Sequence, residues 1–205
     1  MAQAQSKQDR RILKTKNEIK QALTELIEEK RFEAITVRDI TERANINRGT
    51  FYLHYQDKYD LLKQCEDEII KNIIENVRDV QVYDIEELIA KEKPFPFIVT
   101  ILEYIQENAD FLRAVLGPNG DPSFQEKLKE VMIQNFFFKK LNNPSTTVPI
   151  DILTTYISSA HLGVIQQWLN TGMKQSPEEM ASILFRIITK GPIVAIGFGN
   201  RVQEK

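Results

Sequence analysis

Between Arg48 and Tyr55 the chain sets Arg48, Thr50, Tyr52 and His54 around two aromatic residues, Phe51 and Tyr55, four positions apart. On a helix that spacing puts Phe51 and Tyr55 on one face, facing a core, and leaves the polar four outside or near the ends. The outward types suit a nucleic-acid duplex. Arg matches a guanine edge, Thr a thymine methyl or a phosphate, and Tyr and His phosphate oxygens. Gly49 costs such a helix roughly 1 kcal/mol relative to Ala, which is offset if bare backbone comes close to the duplex.

So short a helix needs a neighbour to hold it. Thr36, with Asp39 three residues on, reads as the capped start of a preceding helix, in which Val37, Ile40 and Ala44 share one face. Asn45-Ile46-Asn47 then forms a turn with one apolar residue between two amides that tolerate turn geometry, and Asn47 is the expected N-cap of the second helix. Two short helices joined by a tight turn make a helix-turn-helix. Its expected DNA contacts are Thr36, Arg38, Asn47, Arg48, Gly49, Thr50, Tyr52, His54, Tyr55 and Lys58.

The stretch TVRDITERANINRGTFYLHYQDKYDLL resembles the DNA-binding domain of TetR-family (TetR/AcrR-type) transcriptional regulators. The likeness spans about the first third of the chain and rests on the Thr-opened helix, the short turn, Gly-Thr-Phe-Tyr-x-His-Tyr, then Asp57-Lys58 and Leu61-Leu62. It implies that Tyr52, His54 and Lys58 hold phosphates. Where many members have a small residue, often Gly, after the Ala of the second helix, this chain has Asn45.

The composition is compatible with that reading without singling it out. Of 205 residues, 42% are hydrophobic and 27% charged, ordinary globular usage. The single cysteine, Cys65, excludes an intrachain disulfide framework, fits a reducing cytoplasm, and sits on an apolar helical face as a packing residue. The polar N-terminus is followed by no signal-type apolar run, and no uninterrupted apolar stretch of membrane-spanning length occurs, so a cytoplasmic protein is expected. The net charge is −2, but residues 1–63 hold 13 Lys and Arg against 10 Asp and Glu, and the remainder 14 against 19. DNA binding depends on the local patch, which an acidic second domain does not abolish.

In chain order, Arg10 to Lys30 reads as the first helix, with Ile12, Ile19, Leu23, Leu26 and Ile27 at helical spacing. Its basic arc, including Lys16, is either solvated or against the duplex backbone. Asp57 caps a fourth helix running through Leu61, Leu62, Cys65, Ile69, Ile73 and Val77; about twenty residues span roughly 30 Å, enough for a lever between two domains. Residues 85–89 read as helix or loop, 97–108 and 111–116 as helices, and 122 to about 140 as a helix capped by Asp121 with Pro122 first. Pro149 opens a helix to about Thr171. Ser176-Pro177-Glu178-Glu179 opens the last one with a capping box, and Gly191-Pro192 ends it. The expected fold is all-α, about nine helices, with a helix-turn-helix domain over 1–56 and a helical ligand-binding and dimerisation domain over 57–205.

The last two long helices suit a four-helix bundle built by two copies. The expected homodimer surface is Tyr156, Ser159, Ala160, Gly163 and Val164, a strip of mostly small residues that also allows close packing within one chain, with Ile183, Leu184 and Ile187. Two copies on a twofold axis would read a palindromic operator in double-stranded DNA. For a small-molecule effector the aromatic and polar candidates are Tyr104, Phe111, Phe137, Tyr156, His161 and Trp168, each equally able to serve as core.

Catalysis is not expected. The two histidines, His54 and His161, join no Cys pair, no His-Glu-x-x-His, no Gly-rich phosphate loop and no Gly-x-Ser-x-Gly, so neither a metal nor a cofactor is implied. Two functional readings remain: a ligand-responsive repressor, and a DNA-binding protein of the same fold that acts through a protein partner.

Overall fold

The computed structural model describes residues 2–78, 85–134 and 147–195. Within them the chain is all-α: α1 (Ala2–Glu29), a 3-10 turn η1 (Phe32–Ala34), α2 (Val37–Arg43), α3 (Arg48–Tyr52), α4 (Lys58–Arg78), α5 (Ile85–Ala90), α6 (Pro96–Glu107), α7 (Ala109–Leu116), α8 (Pro122–Met132), α9 (Ile150–Asn170) and α10 (Pro177–Ala195). The tenth helix is α5, which the spacing alone left between helix and loop. No described helix is long and apolar enough to cross a membrane.

Several boundaries follow from local chemistry. α1 starts at Ala2 rather than near Arg10, because Ala-Gln-Ala-Gln-Ser-Lys-Gln contains good helix formers and no breaker. Ile12 and Leu13, however, are exposed, so the buried stripe begins at Ile19. In α10 the helix breaks at Gly191, whose φ of 76° and ψ of 157° are non-helical, and Pro192 opens one more helical turn.

The chain divides into two compact units, residues 1–70 with 110–125, and 71–109 with 126–205. The boundary expected after Gln56 falls inside the first of these units. The reason is burial: Leu61, Leu62, Cys65 and Ile69 of α4 are enclosed, as are Phe111, Leu112, Val115 and Phe124 from the later segment of the same unit. The backbone N–H of Phe32 donates to the Asn119 carbonyl at 3.0 Å, and Arg113 pairs with Glu28 at 3.4 Å. Gly120 lets its loop close: a Cβ there would lie 2.0 Å from the Val115 carbonyl oxygen.

In the second unit α6 packs on α10, with Phe95 edge-on to Phe185 at 5.6 Å and Lys190 paired with Glu92 at 2.8 Å. α9 turns into α10 through Gly172 and Met173, both at positive φ. Ser176 and Glu179 form the expected capping box.

Candidate nucleic-acid interface

The helix-turn-helix begins at a double cap. The Thr36 hydroxyl oxygen accepts from the Asp39 backbone N–H at 3.2 Å, and the Thr36 backbone N–H donates to Asp39 Oδ2 at 2.8 Å. Lys30 also donates to Asp39, at 2.9 Å. That bond first, and those from the Thr36 backbone and hydroxyl next, hold the Asp39 carboxyl down at about 2. At its other end α2 is tied to α1 by Arg43, which bonds Glu25 at 3.1 Å and Glu29 at 2.9 Å.

The turn uses Asn45 at φ 51°, the left-handed conformation that glycine supplies elsewhere and that Asn tolerates. The Ile46 backbone N–H then donates to the Thr41 carbonyl at 3.0 Å. Asn47 is the N-cap of α3 by position, its carbonyl accepting from Thr50 N–H, but its side chain makes no cap hydrogen bond. The exposed amide is therefore not committed to the helix start.

α3 is fixed by Phe51, fully buried, with Tyr55 beside it at 5.6 Å between ring centroids. The outer side carries Arg48, Gly49 and Tyr52, all exposed, with Thr50 and His54 half-buried. Arg48 Nη2 donates to the Tyr52 phenol oxygen at 3.1 Å, and the guanidinium stands 5.5 Å from the Tyr52 ring centroid. A Cβ on Gly49 would meet no atom within 4 Å. Packing within the chain therefore does not require glycine there, and the open backbone faces outward.

Three members of the expected contact set are placed differently from the rest. Tyr55 is only 5% exposed, and burial pushes its phenol well above the usual range. It is a core residue, covered by Lys16, whose ammonium lies 5.8 Å from its ring centroid. Lys58 donates from its ammonium to three backbone carbonyls, of Phe32, Glu33 and Ile35, at 2.9, 2.7 and 2.8 Å. Burial lowers its pKa, with Glu33 and Asp39 opposing. Arg38 is exposed and paired with Glu42 at 2.7 Å. Sequence reasoning missed Leu53, which is 80% exposed at the end of α3. Its signal was available: two residues from both Phe51 and Tyr55, it lies on the opposite side of a helix from them.

The effector candidates are scattered. Phe111 is buried in the first unit with the Lys20 ammonium 4.9 Å from its ring. Trp168 is enclosed, its indole N–H donating to the Gln175 carbonyl at 3.0 Å. His161 lies 2.6 Å by Nδ1 from the Ile157 carbonyl, and burial lowers its pKa while that bond opposes. Tyr104 is half-buried on α6, Tyr156 is exposed on α9, and Phe137 lies outside the described residues.

On α9, Ile152, Tyr156, Ser159, Ala160 and Gly163 are exposed, and a Cβ on Gly163 would meet nothing. Val164, Ile183 and Ile187 are half-buried, but Leu184 is in the core of the chain itself, since it falls on the inner face of α10 with Met180, Ala181 and Phe185.

Residues 19–65 match the family model described as bacterial regulatory proteins, tetR family. Residues 92–190 match the TetR-type model described as a transcriptional regulator C-terminal region. A curated relative, the uncharacterized HTH-type transcriptional regulator YxbF of Bacillus subtilis (strain 168), is 21% identical over 173 residues, 84% of this chain and 44% of the relative. The chain thus spans less than half the length of that relative.

Among solved structures, a TetR transcriptional regulator from Streptococcus agalactiae 2603V is 26% identical with a TM-score of 0.62, covering 88% of this chain and 97% of the other. NalD of Pseudomonas aeruginosa, the secondary repressor of the MexAB-OprM multidrug efflux pump, shares the fold at 18% identity and TM-score 0.60, with 88% and 97% covered. The transcriptional regulator FadR from Bacillus subtilis in complex with stearoyl-CoA does so at 15% and 0.55, with 85% and 97% covered.

Proposed function

Because this chain is a TetR-family transcriptional regulator that binds DNA, we propose that it acts as a ligand-responsive repressor, a homodimer seating one α3 per protomer in the major groove of a palindromic operator. The observation that carries this reading is the outer side of α3. Arg48 and Tyr52 stand exposed beside bare backbone at Gly49, while Phe51 holds the helix from behind. Arg48 reads a guanine edge; Thr36, Asn47, Thr50, Tyr52 and His54 meet phosphates or base edges alongside it.

A homodimer is supported by the uncovered strip on α9, where small residues lie between Ile152 and Tyr156 on one side and Gly163 on the other. One short recognition helix reaches only a few base pairs, so a twofold partner supplies both affinity and register, with half-sites about 34–36 Å apart or wider. A cytoplasmic location is part of the same proposal, since the target would be DNA.

Repression and an effector are supported by what the similar proteins are: NalD is a repressor, and FadR was solved with stearoyl-CoA. An effector that empties the operator needs about 5.5 kcal/mol of differential affinity between the two states. His161 and Tyr104 in the second unit are the polar and aromatic groups to probe first. Action through a protein partner without an inducer is the less favoured reading, as no feature among the described residues points to it.

Selection of bound sequences from random duplexes tests the core of the proposal. Enrichment of a palindrome is the expected result; recovery of asymmetric or unrelated sequences would overturn it. Repression is tested with a reporter placed behind the selected operator.

A further inference from the structure

The outer side of α3 has a centre, and an apolar side chain occupies it. Phe51 and Tyr55 are buried, and Leu53, two residues from each, lies about 200° round the helix from both. It is 80% exposed, the most exposed large apolar side chain among the described residues. A lone leucine in water is ordinary on a protein surface, so exposure alone assigns it nothing. Its neighbours do. One turn back stands Gly49, whose carbonyl accepts the Leu53 backbone N–H at 3.2 Å and where a Cβ would meet no atom within 4 Å. The Leu53 backbone is still right-handed, at φ −72° and ψ −20°, so its side chain keeps the direction that α3 imposes. Arg48 and Tyr52, held to each other at 3.1 Å, stand to one side of it.

We propose that Leu53 is a specificity-determining residue whose side chain packs on the C5-methyl of a thymine in the major groove. The inference rests on the DNA-binding reading of α3. On the floor of that groove the bases present donors and acceptors, and the one apolar group among them is the thymine methyl. A leucine has neither donor nor acceptor, so against any other base edge it only covers polar atoms and leaves them unpaired. Gly49 clears the way, since no side chain one turn back holds α3 off the duplex. Arg48 and Leu53 are five residues apart, about 7.5 Å of helical rise, or roughly two base-pair steps of about 3.4 Å. The thymine is therefore expected within about two steps of the guanine that Arg48 reads. Phosphate contacts from Tyr52, His54 and Lys58 set register without reading sequence; Leu53 adds a base to the readout.

Deoxyuridine isolates the contact, because it lacks only the methyl of thymidine and keeps its pairing and its O4 acceptor. On the duplex selected by the wild-type full chain, each thymine is replaced in turn by deoxyuridine, in both half-sites together. Binding is compared for the wild type, Leu53→Ala, which withdraws the apolar surface, and Leu53→Met, which keeps an apolar reach without the branch. A side chain this exposed has little packing to lose when it is shortened, and thermal melting followed by circular dichroism verifies that both variants fold.

At one symmetric thymine position the wild type is expected to lose affinity about fourfold per half-site when the methyl is removed, equivalent to about 0.8 kcal/mol. Leu53→Ala should lose about as much on the parent duplex, show no further loss on the deoxyuridine duplex, and keep the wild-type salt slope, since no phosphate contact is removed. Leu53→Met should retain the methyl dependence. Methyl dependence at no thymine, or the same dependence in Leu53→Ala as in the wild type, would overturn the proposal. So would a loss spread evenly over all sequences, which marks contact with the sugar-phosphate wall, or no loss on any duplex, which leaves the leucine to another partner. A wild type that binds no duplex would overturn the DNA-binding reading and this inference with it, whereas a selected palindrome indifferent to thymine methyls would sink this inference alone.

Discussion

Arg48 and Tyr52, one turn apart on the open side of α3, hold each other: the guanidinium donates to the phenol oxygen at 3.1 Å and lies against the ring. A free arginine carries about 2 kcal/mol of rotamer entropy, and this contact restricts it before DNA arrives. Arg48→Ala should therefore cost about 1–3 kcal/mol of operator affinity and relax preference at one base position. Tyr52→Phe, which removes only the acceptor, should give a smaller loss of the same base preference. Binding to a panel of single-base operator variants reads both effects; a uniform loss across all positions would show that Arg48 touches only the backbone.

Asp39 gives the reading head an acid limit. Its folded pKa is depressed to about 2 by Lys30 and Thr36, so its contribution is fully present above the unfolded value of about 3.9 and fades as pH falls toward 2. Asp39→Asn should be less stable than the wild type at neutral pH, with the difference shrinking between about pH 4 and 2. Thr36→Ala should cost about 1 kcal/mol through the lost cap. Urea denaturation across pH tests this, and a gap that stayed constant down to pH 2 would contradict it.

Gly120 allows no side chain. With Val115 backbone atoms 2.0 to 2.7 Å from any Cβ, Gly120→Ala must move main chain rather than a flexible tip. A loss of at least about 1–3 kcal/mol, the range for overpacking, is expected in thermal or urea unfolding. Gly49→Ala is the control: its Cβ is unobstructed, so it should leave stability unimpaired while lowering DNA affinity.

The strip on α9 predicts a clean separation of assembly from folding. Tyr156→Lys places a charge on a side chain 55% exposed in the single chain, so helicity should persist while sedimentation shows the monomer. Affinity for a two-half-site duplex should fall with it. A variant that still sediments as a dimer would move the interface elsewhere.

How much the sequence disclosed depended on where each side chain's partner lies. The capping pairs Thr36/Asp39 and Ser176/Glu179 are three residues apart and were legible from residue type alone, as was the turn at Asn45. The backbone carbonyls that Lys58 meets leave no mark in a sequence, where only its charge and position show. Trp168 and Phe111 read as pocket walls for a similar reason: aromatic type is the same whether a ring lines a cavity or fills a core. Tyr55 reads both as core and as a DNA contact, and it is buried in the chain itself. Leu53 carries no polar group, so only helical spacing marks it as facing out.

The allegiance of residues 110–125 to the N-terminal unit bears on how this protein can be recombined with others. A hybrid regulator made by keeping residues 1–70 and swapping in a foreign sensor would discard Phe111, Leu112, Val115 and Phe124, all enclosed here, together with the Asn119 carbonyl that receives Phe32. The transplanted head would arrive hollow, and a working fusion must carry that distant sixteen-residue insert along with it.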